Sequence, residues 1–231
     1  MDNSKRHEEI INYLKTNHFA SISELSATFY ASEATIRRDV QKLAAKGLVK
    51  SFYGGVAITE YQNSPVPINL RDKENSASKE KIALSASKLI KDNSTVIFDS
   101  SSTVRRMCKY ITNRAGLTVI TSNLRVCEEL RDSTIKVICT GGTLINKRDC
   151  FTGHLAEDTL KKLKADMLFF SSQGVSDEGD ITDSSEEETS LRKVMFSITK
   201  EQYFLCDPSK VGKSFPFVLC NTENVTKVIK E

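Results

Sequence analysis

The sequence predicts an α/β chain in two parts, a small helical unit with a β-hairpin and a larger unit built on a parallel sheet. Apolar residues recur at helical spacing until Gly47 and then alternate as in a hairpin, and a polar stretch with two prolines follows from about residue 60. Beyond it, apolar strands alternate with helices, which is typical of a parallel sheet. We therefore divide the chain into residues 1–59, a linker over residues 60–78 and residues 79–231.

The composition limits the possible functions. The chain has 231 residues, of which 39% are hydrophobic and 27% charged, so it can bury a substantial core. A net charge of +3 is too small to indicate a nucleic-acid partner by itself, and any basic surface must be local. The charged start, MDNSKRHEEI, and the absence of a long apolar run predict a cytoplasmic protein with no membrane partner.

The six cysteines are interpreted as reduced residues of the core. They occur singly, mostly in apolar stretches, with no Cys-x-x-Cys pair and no neighbouring histidine cluster. This pattern favours buried thiols over zinc ligands or disulfides. We expect neither a metal nor a cofactor.

Two helices are predicted at the start of the chain. Residues 5–16 place Ile10 and Leu14 at helical spacing on one face. A short apolar patch then leads to Ser23, a candidate N-cap, and Leu25 lies on the apolar face of the second helix.

A third helix begins after Ser32, a second candidate N-cap. Ile36, Val40 and Leu43 form one buried stripe, and Gly47 ends the helix. Three short helices are therefore predicted within about fifty residues.

The third helix predicts an outward-facing basic surface. Each residue advances about 100° around a helix, so the apolar stripe places Arg38 on the far side and Arg37 on a flank. Between Thr35 and Tyr53, five basic residues oppose one acid, Asp39, which gives a local charge of +4. Such a concentration is expected of a face that meets the phosphates and base edges of duplex DNA.

A hairpin is predicted after this helix. In LVKSFYGGVAI, two alternating apolar runs flank Gly54 and Gly55, which we expect to supply positive φ angles. A helix-turn-helix followed by a hairpin is a winged helix, whose wing touches the adjacent DNA backbone. A three-helix protein-interaction module with a solvated basic face is the alternative, which helical spacing does not exclude. The candidate DNA-binding residues are Ser32, Thr35, Arg37, Arg38, Gln41, Lys42, Lys50 and Tyr53.

The second part is predicted to be a Rossmann-like α/β domain. Continuous apolar runs such as TVIFD, LTVIT and MLFF indicate strands buried on both faces of a parallel sheet. The predicted strands are residues 95–99, 117–121, 135–140, 166–171 and 202–206, and the predicted helices are residues 79–91, 103–112, 123–131, 154–164 and 185–199.

Four predicted strand ends carry groups suited to a polyol phosphate. Ligands of open parallel sheets bind beyond the carboxyl ends of the strands. The segments are DSSST, TSN, TGG and DPSK, which offer hydroxyls, backbone amides, a carboxylate and an ammonium group. Each segment alone is more often a cap or a bend, but their recurrence at strand ends favours a ligand site.

The sequence resembles the DeoR family of bacterial transcriptional regulators. TIRRDVQKL and YGGVA are the most specific matches, and RDKEN, KEKIA, DSSST, TGG, KADMLFFSSQGV, EETSLRKVM and DPSKVG follow in order. The resemblance implies a winged helix that binds operator DNA and a sensor domain, similar to ribose-5-phosphate isomerase, that binds a phosphorylated sugar. It also implies a repressor of a sugar or polyol catabolic operon, assembled as a homodimer or homotetramer and released by its effector.

The resemblance implies roles for individual residues. Thr35, Arg37 and Arg38 match the DNA-reading motif. Ser101 replaces the usual glycine, and Ser122-Asn123 reverses the usual order, so the phosphate loop is expected to differ in shape. The candidate effector-binding residues are Lys81, Asp99, Ser100, Ser101, Ser102, Thr103, Thr121, Ser122, Asn123, Gly141, Gly142, Asp207 and Lys210.

A sugar-phosphate isomerase-like enzyme is the alternative function, because the sensor resembles one. An isomerase needs a placed general base to move a proton between adjacent carbons. The sequence has no clear equivalent of the isomerase's Asp-Gly-x-Asp loop, and Glu188 lies in a helix whose acids fall in its first half. Ligand binding without turnover is therefore predicted, and no catalytic residue is assigned.

Overall fold

The structure is a computed structural model that describes residues 3–17, 19–52, 55–58, 72, 74–146 and 148–231. The chain separates into two compact units, Met1–Glu74 and Asn75–Glu231. Most of the predicted linker lies outside the described residues. Residues 76–78 of that predicted linker belong instead to the first helix of the second unit, which begins at Ser76.

The first unit combines three helices with a small antiparallel sheet. The helices are α1 (Asn3–Asn17), α2 (Ile22–Thr28) and α3 (Glu33–Ala45), and the strands are β1 (Phe19–Ser21), β2 (Val49–Phe52) and β3 (Gly55–Ile58), in the order β1-β3-β2. The predicted helices and hairpin are confirmed. Buried apolar side chains from all three helices form one core, which includes Ile10, Leu14, Leu25, Ile36, Val40 and Leu43.

Helix α2 begins two residues earlier than predicted. Its N-cap is Ser21 rather than Ser23: the Ser21 hydroxyl accepts a hydrogen bond from the Glu24 N–H, and the Glu24 carboxylate accepts one from the Ser21 N–H. The apolar patch before this capping box is β1, which pairs with β3. Pairing in the sheet therefore ends at the N-cap.

Gly55 serves close packing rather than a positive φ. It lies in β3 opposite Phe52, and its φ is not positive. A Cβ atom at Gly55 would lie 2.2 Å from Cζ of Phe19 and 3.0 Å from the carbonyl oxygen of Ala20. The glycine thus lets β3 approach β1. The prediction that Gly55 supplies a positive φ is wrong. Gly54 lies outside the described residues.

A six-stranded parallel sheet forms the centre of the second unit, as predicted. The strands follow the order β14-β12-β9-β4-β5-β6, and every neighbouring pair is parallel. Apolar side chains alternate between two buried clusters, one on each face, so that Phe98 lies in one cluster and Ile97 in the other. The strands are β4 (Thr95–Phe98), β5 (Thr118–Thr121), β6 (Lys136–Cys139), β9 (Ala165–Phe170), β12 (Thr199–Leu205) and β14 (Lys227–Ile229).

The predicted helix over residues 103–112 is split into two single turns. The Met107 N–H donates to the Val104 carbonyl and the Tyr110 N–H to the Met107 carbonyl, three residues back in each case rather than four. The helices of this unit are α4 (Ser76–Ser87), α5 (Ser102–Arg105), α6 (Cys108–Ile111), α7 (Leu124–Leu130), α8 (His154–Lys161) and α9 (Glu186–Ser197).

Two small antiparallel sheets, whose strands were not predicted from the sequence, complete the unit. A hairpin pairs β7 (Thr143–Ile145) with β8 (Cys150–Thr152). A three-stranded sheet contains β10 (Gly174–Val175), β11 (Asp180–Asp183) and β13 (Phe217–Asn221).

The strand order places a topological switch point between β4 and β9. From β4 the chain adds β5 and β6 on one side, and later adds β9, β12 and β14 on the other. The carboxyl ends of β4 and β9 therefore flank the position at which ligands of such sheets bind.

The thiols of the second unit are not all in the core. All six cysteines are free; Cys108, Cys150 and Cys206 are buried, whereas Cys139 is exposed. The expectation of core thiols is therefore wrong for Cys139, because it lies on β6 at the edge of the sheet. Within the described part of the chain, no group of acidic, histidine and cysteine side chains is arranged to hold a metal ion. Nor is any helix there long and apolar enough to cross a membrane.

Candidate DNA-binding face and effector site

Helix α3 is fixed in orientation by a buried ion pair with α1. Asp39 is only 2% exposed, and its Oδ2 accepts a hydrogen bond of 2.6 Å from Nε of Arg6. Nε2 of His7 lies 3.0 Å from the other oxygen. Burial raises the pKa of Asp39, but hydrogen bonds and charge attraction from Arg6 and His7 outweigh it, so the pKa is lowered overall.

The opposite face of α3 is exposed and basic. Arg37 and Arg38 point to solvent, as the helical geometry predicted, and Thr35 is half-buried on the flank. Arg37 pairs with Glu33 at 3.3 Å, an exposed contact that contributes little to stability. Since Asp39 faces inward to Arg6, this acid does not lie on the outward surface. Gln41, Lys42 and Lys50 are also exposed.

Ser32 and Thr35 shape the first turn of α3. The Ser32 hydroxyl accepts a hydrogen bond from the Thr35 N–H at 3.3 Å, which confirms Ser32 as the N-cap. The two hydroxyl oxygens lie 2.9 Å apart. Ser32 therefore helps to begin the helix that carries the arginines. Tyr53 lies outside the described residues.

In the second unit, Asp99 organises the carboxyl edge of the sheet. Its Oδ1 accepts a hydrogen bond from the Ser101 N–H at 2.9 Å, and its Oδ2 accepts from the Ser171 N–H and from Nε of Arg192 at 3.1 and 3.0 Å. Asp99 thus joins the ends of β4 and β9 across the switch point. Oδ2 makes this link and Oδ1 holds the loop after β4, so the contribution of Asp99 to a ligand site is structural.

Two buried lysines converge on hydroxyl groups at this edge. Nζ of Lys79 donates to Oγ of Ser102 at 3.4 Å, and Nζ of Lys210 donates to Oγ of Ser171. The lysines are 5% and 9% exposed. The carboxylate nearest to Lys210 is Asp207, at 3.4 Å. Two buried ammonium groups that already hydrogen-bond to hydroxyl oxygens at one edge are suited to bind a phosphate there.

Asp207 remains ionised in this cluster. Burial alone raises its pKa, but the charge of Lys210, hydrogen bonds from Ser209 and the charge of Lys79 outweigh burial and lower it. The Asn75 amide and the Ser209 N–H both donate to its Oδ1 at 3.2 Å. Asp207 is therefore a fixed anionic acceptor, able to receive hydrogen bonds from sugar hydroxyls.

Two polar atoms at the same edge are buried without a partner. Among the described residues, Oγ1 of Thr103 and Nδ2 of Asn123 have no hydrogen-bond partner. They follow the adjacent strands β4 and β5. Buried polar groups are nearly always paired, so two unpaired ones at a predicted ligand site are consistent with a polar ligand there.

Comparisons with known proteins assign the family. Residues 6–62 match the DeoR-like helix-turn-helix domain, and residues 74–231 match the DeoR C terminal sensor domain. The chain belongs to the DeoR family. The resemblance in the sequence is thereby confirmed, as are a helix-turn-helix unit at the start and an α/β sensor unit after it.

Relatives of this DeoR-family chain are named as regulators. It is 32% identical to the HTH-type transcriptional regulator GolR of Listeria innocua over 98% of this chain and 90% of that protein. It is 28% identical to the lactose phosphotransferase system repressor of Staphylococcus aureus, over 100% of this chain and 93% of that protein. The DeoR-family chain is accordingly a transcriptional regulator and not an enzyme, as predicted.

One similar solved structure, a subunit of eIF2B, supports the fold alone. The delta subunit of eIF2B from Chaetomium thermophilum is 15% identical, with a TM-score of 0.51, and the match covers 71% of this chain and 57% of that one. Ribose 5-phosphate isomerase A from Methanocaldococcus jannaschii is 17% identical, with a TM-score of 0.46, and the match covers 60% of this chain and 55% of that one.

The structure brings most of the predicted effector residues of the DeoR-family sensor to one edge of the sheet. Ser101, which replaces the usual glycine, is the N-cap of α5, and its hydroxyl accepts from the Val104 N–H at 3.1 Å. The Thr121 hydroxyl donates to the Phe98 carbonyl at 2.8 Å. The Ser122 hydroxyl oxygen accepts a hydrogen bond from the Cys150 thiol. These hydroxyls shape the loops. Ser100 is likewise buried after β4.

The two glycines after β6 play different parts. Gly142 has a φ of +108°, and a Cβ there would lie 2.5 Å from the Thr152 carbonyl oxygen, so only glycine fits against the β7–β8 hairpin. Gly141 has a φ of +64° and faces open space. A ligand can therefore approach the backbone at Gly141.

Lys79, and not the predicted Lys81, lies at the site. The Lys81 side chain is 67% exposed and forms an ion pair of 2.5 Å with Glu231, whereas Lys79 is buried. Helix α4 begins at Ser76 rather than at residue 79, and the two lysines are two positions apart, so they face different directions.

A buried charge network, not predicted from the sequence, lies behind the edge. Arg192 donates to Asp99, to Asp183 at 2.8 Å and to Glu188 at 3.3 Å, and Arg148 pairs with Glu188 at 2.8 Å. Burial lowers the pKa of Arg192, but the three carboxylates outweigh it and raise the pKa. Only the spacing of Glu188 and Arg192, four residues apart, was a signal in the sequence. Glu188, considered as a catalytic base, is instead held in ion pairs.

Proposed function

We propose that this regulator binds operator DNA through α3 and the adjacent hairpin and represses a sugar or polyol catabolic operon. A phosphorylated sugar bound at the sheet edge of the sensor releases the DNA. The named lactose phosphotransferase system repressor, similar over the whole chain, supports this proposal. We further propose a DNA-binding domain over residues 1–59, a linker and a sensor over residues 79–231, acting in the cytoplasm as a homodimer or homotetramer.

One observation carries the DNA-binding proposal. The Arg37 and Arg38 side chains are exposed on a helix whose opposite face is held by the buried Arg6–Asp39 pair. A helix fixed in this way presents the guanidinium groups without reorganisation, and arginine recognises both phosphates and guanine edges in the major groove. Ser32, Thr35, Gln41, Lys42, Lys50 and Tyr53 are proposed as further contacts.

The charge distribution supports a phosphorylated effector. In the network behind the edge, two arginines face three carboxylates, so that network has no excess positive charge. In front, the buried Lys79 and Lys210 donate to serine hydroxyls, and Lys210 also pairs with Asp207 at 3.4 Å. We place the phosphate between the lysines, and we place the sugar hydroxyls toward Asp207 and the unpaired amide nitrogen of Asn123.

The proposed release depends on the geometry of a dimer. Two recognition helices must lie about 34 Å apart to enter successive major grooves on one side of the duplex. We propose that effector binding changes this separation through the linker. The effect requires that the effector binds the two spacings with unequal affinity, since a ligand that binds both equally shifts nothing.

The DNA-binding proposal is tested with Arg38→Ala. We expect operator affinity to fall about 5- to 100-fold, as for the loss of a base or phosphate contact, with an unchanged melting temperature. Fluorescence anisotropy with a duplex from the regulator's own upstream region measures the affinity. Lys15→Ala, which removes an exposed cation from α1, is the matched control. Equal affinity of Arg38→Ala and the wild type would contradict the assignment.

The effector proposal is tested by a thermal-shift screen of phosphorylated sugars. A ligand that binds only the folded sensor raises its melting temperature, and the matching unphosphorylated sugar should not. Lys210→Ala should abolish the shift and leave DNA affinity intact. A shift of equal size in Lys210→Ala would show that the effector binds elsewhere.

A further inference from the structure

Tyr30 lies in the turn between α2 and α3 and leaves its side chain in solvent. It is 97% exposed and has a φ of +50°. The Ala31 N–H donates to the Ser26 carbonyl at 3.2 Å, and the Ser26 hydroxyl donates to the Ala31 carbonyl at 2.6 Å. Phe29 is the C-cap of α2, so Tyr30 occupies the position after the C-cap of a Schellman motif.

Neither the backbone nor the core accounts for a tyrosine at this position. The residue after the C-cap is usually glycine, because a Cβ is strained at a positive φ. The turn is hydrogen-bonded on both sides of Tyr30, so this conformation is fixed. A ring that is almost fully exposed also buries little apolar surface on folding. Folding alone would favour glycine.

We propose that Tyr30 contacts DNA, its phenolic hydroxyl donating to a phosphate oxygen beside the groove that α3 enters. This inference rests on the proposed DNA-binding function. Tyr30 precedes the N-cap Ser32 by two residues, so its Cα lies within about 7 Å of the start of α3. The first residues of a recognition helix reach base edges, which places the residues just before it near the flanking backbone. Tyrosine is among the side chains that donate to phosphates.

Two substitutions separate the parts of this contact. Tyr30→Phe removes only the hydroxyl, whereas Tyr30→Gly removes the ring and also relieves the strain at the positive φ. Tyr13→Phe is the matched control, because the Tyr13 hydroxyl donates to Glu24 within the same unit at 2.8 Å. The probe is a fluorescent mixed-sequence duplex of about 30 base pairs, since phosphate contacts carry no sequence information.

Anisotropy titrations of the full chain at several salt concentrations measure the affinity for the duplex. Tyr30→Phe should weaken binding about 2- to 10-fold, the effect of one hydrogen bond, at every salt concentration. The slope of log affinity against log salt should not change, because a neutral hydroxyl displaces no counterion. Tyr30→Gly should weaken binding at least as much while its melting temperature stays the same or rises, and Tyr13→Phe should bind like the wild type.

Failure of this inference can be distinguished from failure of the proposed function. If Tyr30→Phe and Tyr30→Gly both bind like the wild type while Arg38→Ala binds more weakly, the role of Tyr30 is overturned and DNA binding stands. A lower melting temperature for Tyr30→Gly would show that the ring supports the fold, and would also overturn it. If the wild-type chain does not bind the duplex at low salt, both the inference and the proposed function fail.

Discussion

The two units handle charge in opposite ways. On α3 of the first unit, Arg38 and Lys42 are exposed, and the nearby acid Asp39 faces inward. At the sheet edge of the second unit, Arg192 and Lys210 are buried. The first arrangement leaves cations available to a macromolecule, whereas the second holds them in fixed positions around a small site.

The exposed and the buried charges affect the stability of the fold differently. Exposed cations contribute little to stability, so removing one should affect binding alone. Buried charges are coupled to the fold, because removing one partner leaves the others without compensation in a poorly solvated place. Mutations in the two units should therefore separate binding from stability.

The largest effect is expected for Arg192→Met. Asp99, Asp183 and Glu188 all contact this guanidinium, so three buried carboxylates would lose a cation, although Glu188 would keep its pair with Arg148. We expect the sensor to lose about 3–5 kcal/mol of unfolding free energy. Urea denaturation of the sensor unit measures the loss. Arg131→Met, at an exposed arginine, should change nothing measurable. Equal stability of the two variants would contradict the structural role of the network.

Asp39→Asn should have the next largest effect, and in the first unit. The amide cannot neutralise Arg6, whose Nε lies 2.6 Å from the carboxylate. We expect a loss of about 2 kcal/mol, measured by the thermal unfolding of the first unit. DNA affinity should fall as well, because α3 loses its link to α1. A variant that keeps full stability but binds DNA more weakly would instead place Asp39 in direct contact with the duplex.

The pH dependence of the sensor should depend on Asp207. Its pKa is lowered in the folded state, so its contribution to stability is full above the unfolded value and is lost as the pH falls through the folded value. Between about pH 5 and pH 3, the melting temperature of the wild type should therefore fall more steeply than that of Asp207→Asn. Parallel curves for the two proteins would show that Asp207 is not stabilised by its neighbours.

Thiol labelling reports on the second unit alone, because all six cysteines lie within it. A hydrogen bond from the Cys127 thiol lowers the pKa of Cys139 to about 6 despite partial burial, and the Gly141 N–H contributes. Burial raises the pKa of Cys150 to about 12. At neutral pH, iodoacetamide should modify Cys139 first, as mass spectrometry can measure. Cys127→Ala should slow this reaction, and an unchanged rate would rule out the thiol pair.

Local patterns in the sequence predicted local features well. The apolar stripe of α3 was enough to place Arg37 and Arg38 outward, and the run of apolar residues in each strand was enough to predict a parallel sheet. Ser32 was also correctly predicted as an N-cap, because its partner is three residues away. Such features depend on the spacing of near neighbours, which the sequence shows directly.

Contacts between distant segments could not be predicted in this way. The choice between Lys79 and Lys81 depends on where α4 begins, next to Asn75, which contacts a residue 132 positions later. Arg192 reaches Asp99 across 93 positions. The short strands of the β7–β8 hairpin were missed because three-residue strands are too short for a periodic pattern.

The salt dependence of DNA affinity shows whether the exposed cations of α3 bind the phosphates of DNA. The wild type is compared with a variant in which Arg37, Arg38 and Lys42 are alanine, and with a control in which the exposed Arg131, Lys136 and Lys164 are alanine. Each phosphate contact contributes about 0.9 to the slope of log affinity against log salt. If α3 is the DNA-binding face, the first variant loses about 2 to 3 units of slope and the control loses none. Identical slopes for all three proteins would contradict DNA binding through α3.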